Sequence, residues 1–252
     1  FCTKKGIIKK TSLEAYSRPR TNGVNAIIIR EDDQLLQVSL TDGNADIILA
    51  DREGRATRFH ESKVREMGRM STGVRGMTLG SENDEVVGMI TLTGSPEETV
   101  MVVSQNGYGK RSSQEDYPTH NRGGKGVKTI NITDKTGELV AIKNVNDKND
   151  LMIINQSGIT LRLPVEDIRV MGRATQGVRL IDLTKRGDKI ASVCKVDSDP
   201  EEEIEKDLSE DISEVSEKEL DSELKEREAH DSEEEQQIQE DENKDDASFP
   251  EE

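Results

Sequence analysis

Positive charge recurs in this chain at fixed distances from glycine. Lys10, Arg58, Arg111 and Arg162 each stand four residues after a glycine, at Gly6, Gly54, Gly107 and Gly158. A second glycine, always followed by valine, comes 17 to 19 residues later, at Gly23, Gly73, Gly126 and Gly177. Arg20, Arg69, Arg122 and Arg173 precede it by three or four residues. Arg75, Lys128 and Arg179 follow the Gly-Val pair directly, with Asn25 breaking that series. Lys63, Arg65 and Arg169 fall between the two glycines, Lys9 and Lys110 adjoin the first series, and Arg18 and Lys125 lie just before second glycines. Guanidinium and ammonium groups of this kind hold phosphate. One such residue alone is an ordinary solvated side chain, but a merely solvated surface has no need to repeat sign and register. No aromatic residues accompany the set, which favours charge against a duplex backbone over a base-stacking platform.

Other reactive residue types form no comparable pattern, so no catalytic group and no metal ligand is expected. Tyr16 and Tyr117 lie ten residues after first glycines, where the other copies carry Val64 and Ile168, so that slot is a packing position. Tyr108 sits in a glycine turn beside cations, within reach of a phosphate. His60, His120 and His230 have no partners at metal-ligand spacing. Neither Gly107-Tyr108-Gly109 nor Arg122-Gly123-Gly124-Lys125-Gly126 leads into a helical pattern, so neither is a nucleotide loop. The latter is expected to form a tight turn whose amides and two cations face a phosphate. Cys2 and Cys194, far apart in the sequence, are expected as two reduced, buried thiols.

The elements that must position these cations are short and β-rich. Apolar runs at 26–29, 35–40, 47–50, 86–92, 100–103, 130–132, 139–145, 151–154, 178–183 and 190–196 alternate with Gly, Asn and Asp turn signals, and only brief stretches such as 61–67 look helical. Second glycines recur at intervals of 50, 53 and 51 residues. An all-β array of four four-stranded blades follows, cut at about 1–50, 51–104, 105–155 and 156–197. A blade of this kind cannot bury both faces alone, so neighbours must stack around a common axis. Stacking turns each recurring cation position into a row along the rim.

Charge divides the chain in two. Of 52 acidic and 35 basic residues, 25 and 5 fall within 201–252, leaving 27 and 30 in the body. The acidity that would argue against nucleic acid therefore belongs to the tail. Residues 198–252 are expected to be disordered, with too little apolar surface to offset the entropy of ordering. No stretch approaches the roughly 20 apolar residues of a membrane span. Phe1 is not an initiator methionine, and a truncated chain is the expectation.

Several motifs resemble one protein family. Residues Asn106-Gly107-Tyr108-Gly109-Lys110-Arg111, Glu115-Asp116-Tyr117-Pro118-Thr119 and Arg122-Gly123-Gly124-Lys125-Gly126-Val127 look like one blade of a DNA-wrapping domain, the C-terminal domain of bacterial DNA gyrase A. Residues 64–69 with 72–76, and 170–173 with 175–178, look like two more. The resemblance implies a six-bladed β-pinwheel that bends duplex DNA around its outer edge, this chain carrying about the last four blades and an acidic tail. It also implies a bacterial cytoplasmic, nucleoid-associated protein with a gyrase A cleavage core and gyrase B as partners in an A2B2 assembly. ATP, Mg2+ and the cleaving tyrosine would belong to other parts of that enzyme, leaving no cofactor here. The family's Gln-led box is absent, its nearest equivalent being His120-Asn121-Arg122-Gly123-Gly124-Lys125-Gly126. The related C-terminal domain of topoisomerase IV, and a propeller that binds proteins, remain alternative readings.

Overall fold

A computed structural model describes residues 1–183 and 187–197, which belong to one compact unit, Phe1–Asp197. The acidic segment 198–252 lies outside the described residues. The architecture is all-β, with three short 3-10 turns among the described residues, at Leu13–Tyr16, Glu61–Lys63 and Gln114–Asp116. Its strands are β1 (Cys2–Thr3), β2 (Ile7–Ile8), β3 (Leu35–Gln37), β4 (Asp46–Asp51), β5 (Arg55–His60), β6 (Val74–Arg75), β7 (Val86–Leu92) and β8 (Thr99–Ser104). They continue as β9 (Tyr108–Ser113), β10 (Val127–Lys128), β11 (Leu139–Val145), β12 (Asn149–Asn155), β13 (Thr160–Pro164), β14 (Val178–Arg179) and β15 (Ile190–Asp197).

Each sheet is built on a hairpin whose turn the first glycine closes. The amides of Gly6, Gly54, Gly107 and Gly158 donate to the carbonyls of Thr3, Asp51, Ser104 and Asn155, all at 3.0–3.2 Å. The sheet orders are β3-β1-β2-β6, β7-β4-β5-β10, β11-β8-β9-β14 and, among the described residues, β15-β12-β13. Strands β3, β7, β11 and β15 pack against one another in sequence and so occupy the centre of the array. Strands β6, β10 and β14 therefore form its outer edge.

Those outer strands are donated. β6 follows the β4–β5 hairpin in the chain but pairs back with β2 of the preceding sheet, Ile7 opposite Arg75. β10 pairs with β5 and β14 with β9 in the same manner. Contiguous cuts at 50/51, 104/105 and 155/156 are thus corrected: they pass through or beside the hairpin turns, and no sheet is a contiguous stretch of chain. The apolar runs 26–29 and 130–132 are not strands either. Ile130 is fully buried without a ladder, because an apolar run reports burial and not backbone pairing.

Alternating residues of each central strand face opposite neighbours. Ile47 and Leu49 join Cys2, Ile8 and Phe59 in one core, whereas Ile48 and Ala50 join Val100, Val102 and Ile142 in the next. Met101 and Val103 in turn pack with Leu151, Ile153 and Val193. Both faces of the middle sheets are covered, so their strands read as continuous apolar runs. Cys2 lies in the first core, where burial pushes its thiol up to about 12. Cys194 is exposed, on a strand where only Ile190 and Val193 are buried; the expectation of two buried thiols holds for one only.

Candidate nucleic-acid interface

The donated strands carry the most regular exposed cations. Arg75, Lys128 and Arg179 occupy the same position of β6, β10 and β14, and all three are exposed. The segments around them are laced together by backbone bonds repeating from one copy to the next. The amides of Ile28, Thr78 and Asn131 donate to the carbonyls of Ser71, Gly124 and Thr175 at 3.2, 2.9 and 3.2 Å. Each donor lies five residues after a second glycine and each acceptor two residues before the next. The rim is therefore a connected track, with cation spacing set by blade stacking. Lys63, Arg65, Lys125 and Arg169 are exposed on the connecting loops, as are Arg18 and Arg20 beside the first sheet.

The series four residues after the first glycine does different work. Arg58 pairs with Asp46 at 2.7 Å and donates to the carbonyls of Gln114 and Tyr117 in the following repeat. Arg111, only 8% exposed, pairs with Asp147 and donates to the carbonyls of Ile168 and Glu166. Lys10 reaches Glu61, both its backbone carbonyl and, at 3.6 Å, its carboxylate. The backbone carbonyls of the same three residues accept from Met67, His120 and Met171, each at 2.8 Å. This row is a latch between blades. Carboxylates and carbonyls engage the charge of Lys10, Arg58 and Arg111, the residues expected to hold phosphate. Arg162, exposed, pairs with Asp150.

Two further residues are corrected. Lys9 and Lys110 are 2% and 0% exposed, their ammoniums turned inward to backbone carbonyls. Arg122 and Arg173 are half-buried struts reaching back to the preceding repeat. Arg122 donates to the carbonyls of Lys63 and Arg75 at 2.9 and 3.1 Å, and Arg173 to those of Asp116 and Lys128. Arg69, also half-buried, stands at the equivalent place one repeat earlier. The Arg122–Gly126 turn does not present all its amides outward: Gly123 donates to the Gly76 carbonyl at 2.6 Å, and its own carbonyl accepts from the Thr78 hydroxyl at 2.7 Å. That turn binds the preceding repeat instead.

Two cations escaped the repeat logic. Arg55 is exposed on β5, directly opposite Lys128 across the donated strand. Facing like charges destabilise a strand pair unless an anion lies between them. The equivalent positions elsewhere hold Ile7, Tyr108 and Ile159, so no periodic signal marked Arg55. Lys135 stands 5.4 Å from the centre of the Tyr108 ring and Arg179 5.7 Å from it, with the guanidinium donating to the phenol oxygen at 3.2–3.3 Å. The Arg179 contact foremost lowers the Tyr108 hydroxyl below its ordinary value. Tyr117 is buried with its hydroxyl 2.5 Å from that of Thr129, and Val64 and Ile168 fill the same slot.

The first glycines make the donation possible. The carbonyls of Gly6, Gly54 and Gly107 each accept two amides of the following repeat, from Gly76 and Met77, Thr129 and Ile130, and Leu180 and Ile181. Among the described residues, no grouping of His, Cys, Asp and Glu could hold a metal ion, and no helix is long and apolar enough to cross a membrane.

Known proteins share this arrangement. A family model described as the DNA gyrase C-terminal domain, beta-propeller, matches residues 1–42, 52–93, 98–146 and 149–195. DNA gyrase A of Staphylococcus aureus strain MRSA252 is 46% identical over 211 residues, which are 83% of this chain and 23% of that protein. The same protein from strain NCTC 8325 / PS 47 is 46% identical over 209 residues. The chain thus spans 23% of the length of these curated relatives. The solved C-terminal domain of DNA topoisomerase IV superposes with a TM-score of 0.73 at 28% identity, covering 83% of this chain and 65% of that one. The DNA gyrase A C-terminal domain superposes at 0.67 and 24% identity, a likeness of fold, covering 77% and 64%. With its repeats matched one after another over the latched, strand-donating sheets, this chain belongs to the family of DNA gyrase C-terminal β-propeller domains.

Proposed function

We propose that this chain binds duplex DNA along its outer edge and bends it, as the wrapping part of the gyrase A component of a type IIA topoisomerase. The observation that carries this reading is the row Arg75, Lys128 and Arg179, exposed at one register position on three consecutive donated strands. A phosphate backbone laid over a curved, laced rim meets a cation at each of three successive blades, and the curvature of the array bends the duplex. Such contacts position DNA without reading bases. Strand cleavage, ATP hydrolysis and Mg2+ binding fall to other parts of the enzyme, namely the gyrase A core and gyrase B, the proposed partners in an A2B2 assembly. Binding of a labelled duplex measured against salt tests the reading. Log affinity is expected to fall linearly with log salt, at a slope of about −0.9 per neutralised phosphate. A flat dependence overturns it and favours a protein-binding propeller.

The TM-score of 0.73 to a topoisomerase IV domain supports a second assignment of the same surface, to the related component of that enzyme. A chiral wrap shifts the linking number of a relaxed, nicked and resealed plasmid, whereas binding without wrap leaves it unchanged. The segment 201–252, with 25 acidic and 5 basic residues, is proposed to compete with DNA for the rim at high effective concentration. Deleting residues 200–252 is then expected to tighten duplex binding at low salt; unchanged affinity rejects the competition.

A further inference from the structure

Two lysines carry a buried ammonium whose hydrogen bonds go to backbone and hydroxyl oxygen, with Lys9 also 5.7 Å from the centre of the Phe1 ring. Lys110 donates to the carbonyl of Gly172 at 2.7 Å, to that of Arg173, and at 3.4 Å to the Ser112 hydroxyl. Lys9 donates to the carbonyl of Arg69 at 2.6 Å and to that of Ala26. Neither ammonium makes a salt bridge among the described residues. Both stand three residues after a first glycine, and Arg69 and Arg173 both stand four residues before a second. The same contact is therefore made twice, between a blade's third strand and the turn leading into the strand donated to it. That turn immediately precedes Arg75 in one case and Arg179 in the other.

The sheet itself does not need a lysine there. Thr57 takes the equivalent place in the second sheet, fully buried, and Leu161 takes it in the fourth. An unpaired charge in a core costs stability, and threonine shows that the fold has a neutral alternative. Resting on the DNA-binding reading above, we infer that Lys9 and Lys110 are positioning residues, whose buried ammoniums pin the turns that aim Arg75 and Arg179 at the phosphate path. Lys110 also steadies the Arg173 strut, which touches the carbonyl of Lys128 in the neighbouring donated strand. One ammonium thus orders rim cations of two successive blades.

Titration offers a separate handle. Burial lowers the Lys110 ammonium from 10.5 to about 8; Asp116 opposes the shift and Arg173 adds to it. Between those values the unfolded chain binds the proton that the folded chain has shed, so this group makes the fold more stable as pH rises through 8. Positioning requires the opposite trend in DNA affinity, because the charged donor is then lost.

The test uses the intact chain and the variants Lys110→Met and Lys110→Thr, the latter copying the second sheet. Both are expected to keep the β-sheet spectrum, to bind a labelled duplex about tenfold more weakly at low salt, and to exchange amides of 171–177 faster. Their salt slope should be shallower by about 0.9 to 1.8, one or two phosphate contacts, which a loss of stability alone does not produce. Folded variants with wild-type affinity and slope overturn the inference, whatever their melting temperatures. The wild-type chain supplies an independent arm: from pH 7 to 9 its stability should rise while its affinity falls, and parallel or absent changes reject the role. Failure of the wild-type chain to bind duplex at any salt instead removes the DNA reading itself.

Discussion

Replacing Gly126 by alanine is expected to destabilise the fold by about 3 kcal/mol, the sum of a left-handed backbone penalty and an overpacked contact. Gly126 has φ +73°, and an added Cβ would lie 2.4 Å from the carbonyl oxygen of Ala56 on the strand that receives β10. That neighbour is backbone, so it cannot rotate away. The substitution pushes the donated strand off its sheet and exposes Ile130 beneath it. Gly23 supplies the control. It has the same place in the repeat and φ +76°, yet nothing lies within 4 Å of its would-be Cβ. Gly23→Ala should therefore cost only the backbone term, about 1–2 kcal/mol. Urea denaturation of the two variants measures the difference. Equal losses would mean that close approach of the donated strand contributes nothing.

Neutralising the exposed row as Arg75→Gln, Lys128→Gln and Arg179→Gln together is expected to weaken duplex binding on the order of a hundredfold or more at low salt. The log–log salt slope should become shallower by about 2.7, three phosphates at about 0.9 each. Little stability should be lost, since exposed charges contribute little to folding. Arg111→Gln is the contrasting change. Removing that guanidinium leaves the carbonyls of Ile168 and Glu166 without their donor, while the exposed Asp147 returns to water, so about 1–3 kcal/mol of stability is expected to go. Its salt slope should stay where it was, measured on the folded fraction. A slope change as large as that of the triple variant would place Arg111 on the DNA path and defeat the latch assignment.

The contrast between Arg111 and Arg179 marks the limit of what periodicity can say. Both recur at a fixed spacing, one four residues after the first glycine in four copies and the other two after the second in three. Spacing gives each row a constant position in its blade, but the direction of a side chain relative to the next blade depends on stacking. Lys10, Arg58 and Arg111 face the loop of the following repeat and are paired with Glu61, Asp46 and Asp147. The second row lies on an outer strand, where Arg179 stays exposed although it meets the Tyr108 hydroxyl and, at 3.5 Å, the exposed Asp182. Lys9 and Lys110 behave likewise: adjoining the latch row, they point to the opposite side of the strand and into the core. Arg55 was missed for the converse reason, because its partner Lys128 is brought opposite it only by strand donation.

By itself the chain's sequence determined the all-β class, four copies of one unit, the glycine turns, the burial of the Tyr117 slot and the separation of a near-neutral body from an acidic tail. All of these are local or compositional: a positive φ at glycine, a run of β-branched residues, a count of charges. Only the tertiary structure decided which cations are rim, which are latch and which are buried anchors. It also decided that each outer strand belongs to the sheet before it. Those assignments rest on contacts between repeats about fifty residues apart, and a periodic sequence repeats its residues without stating which neighbour each one faces.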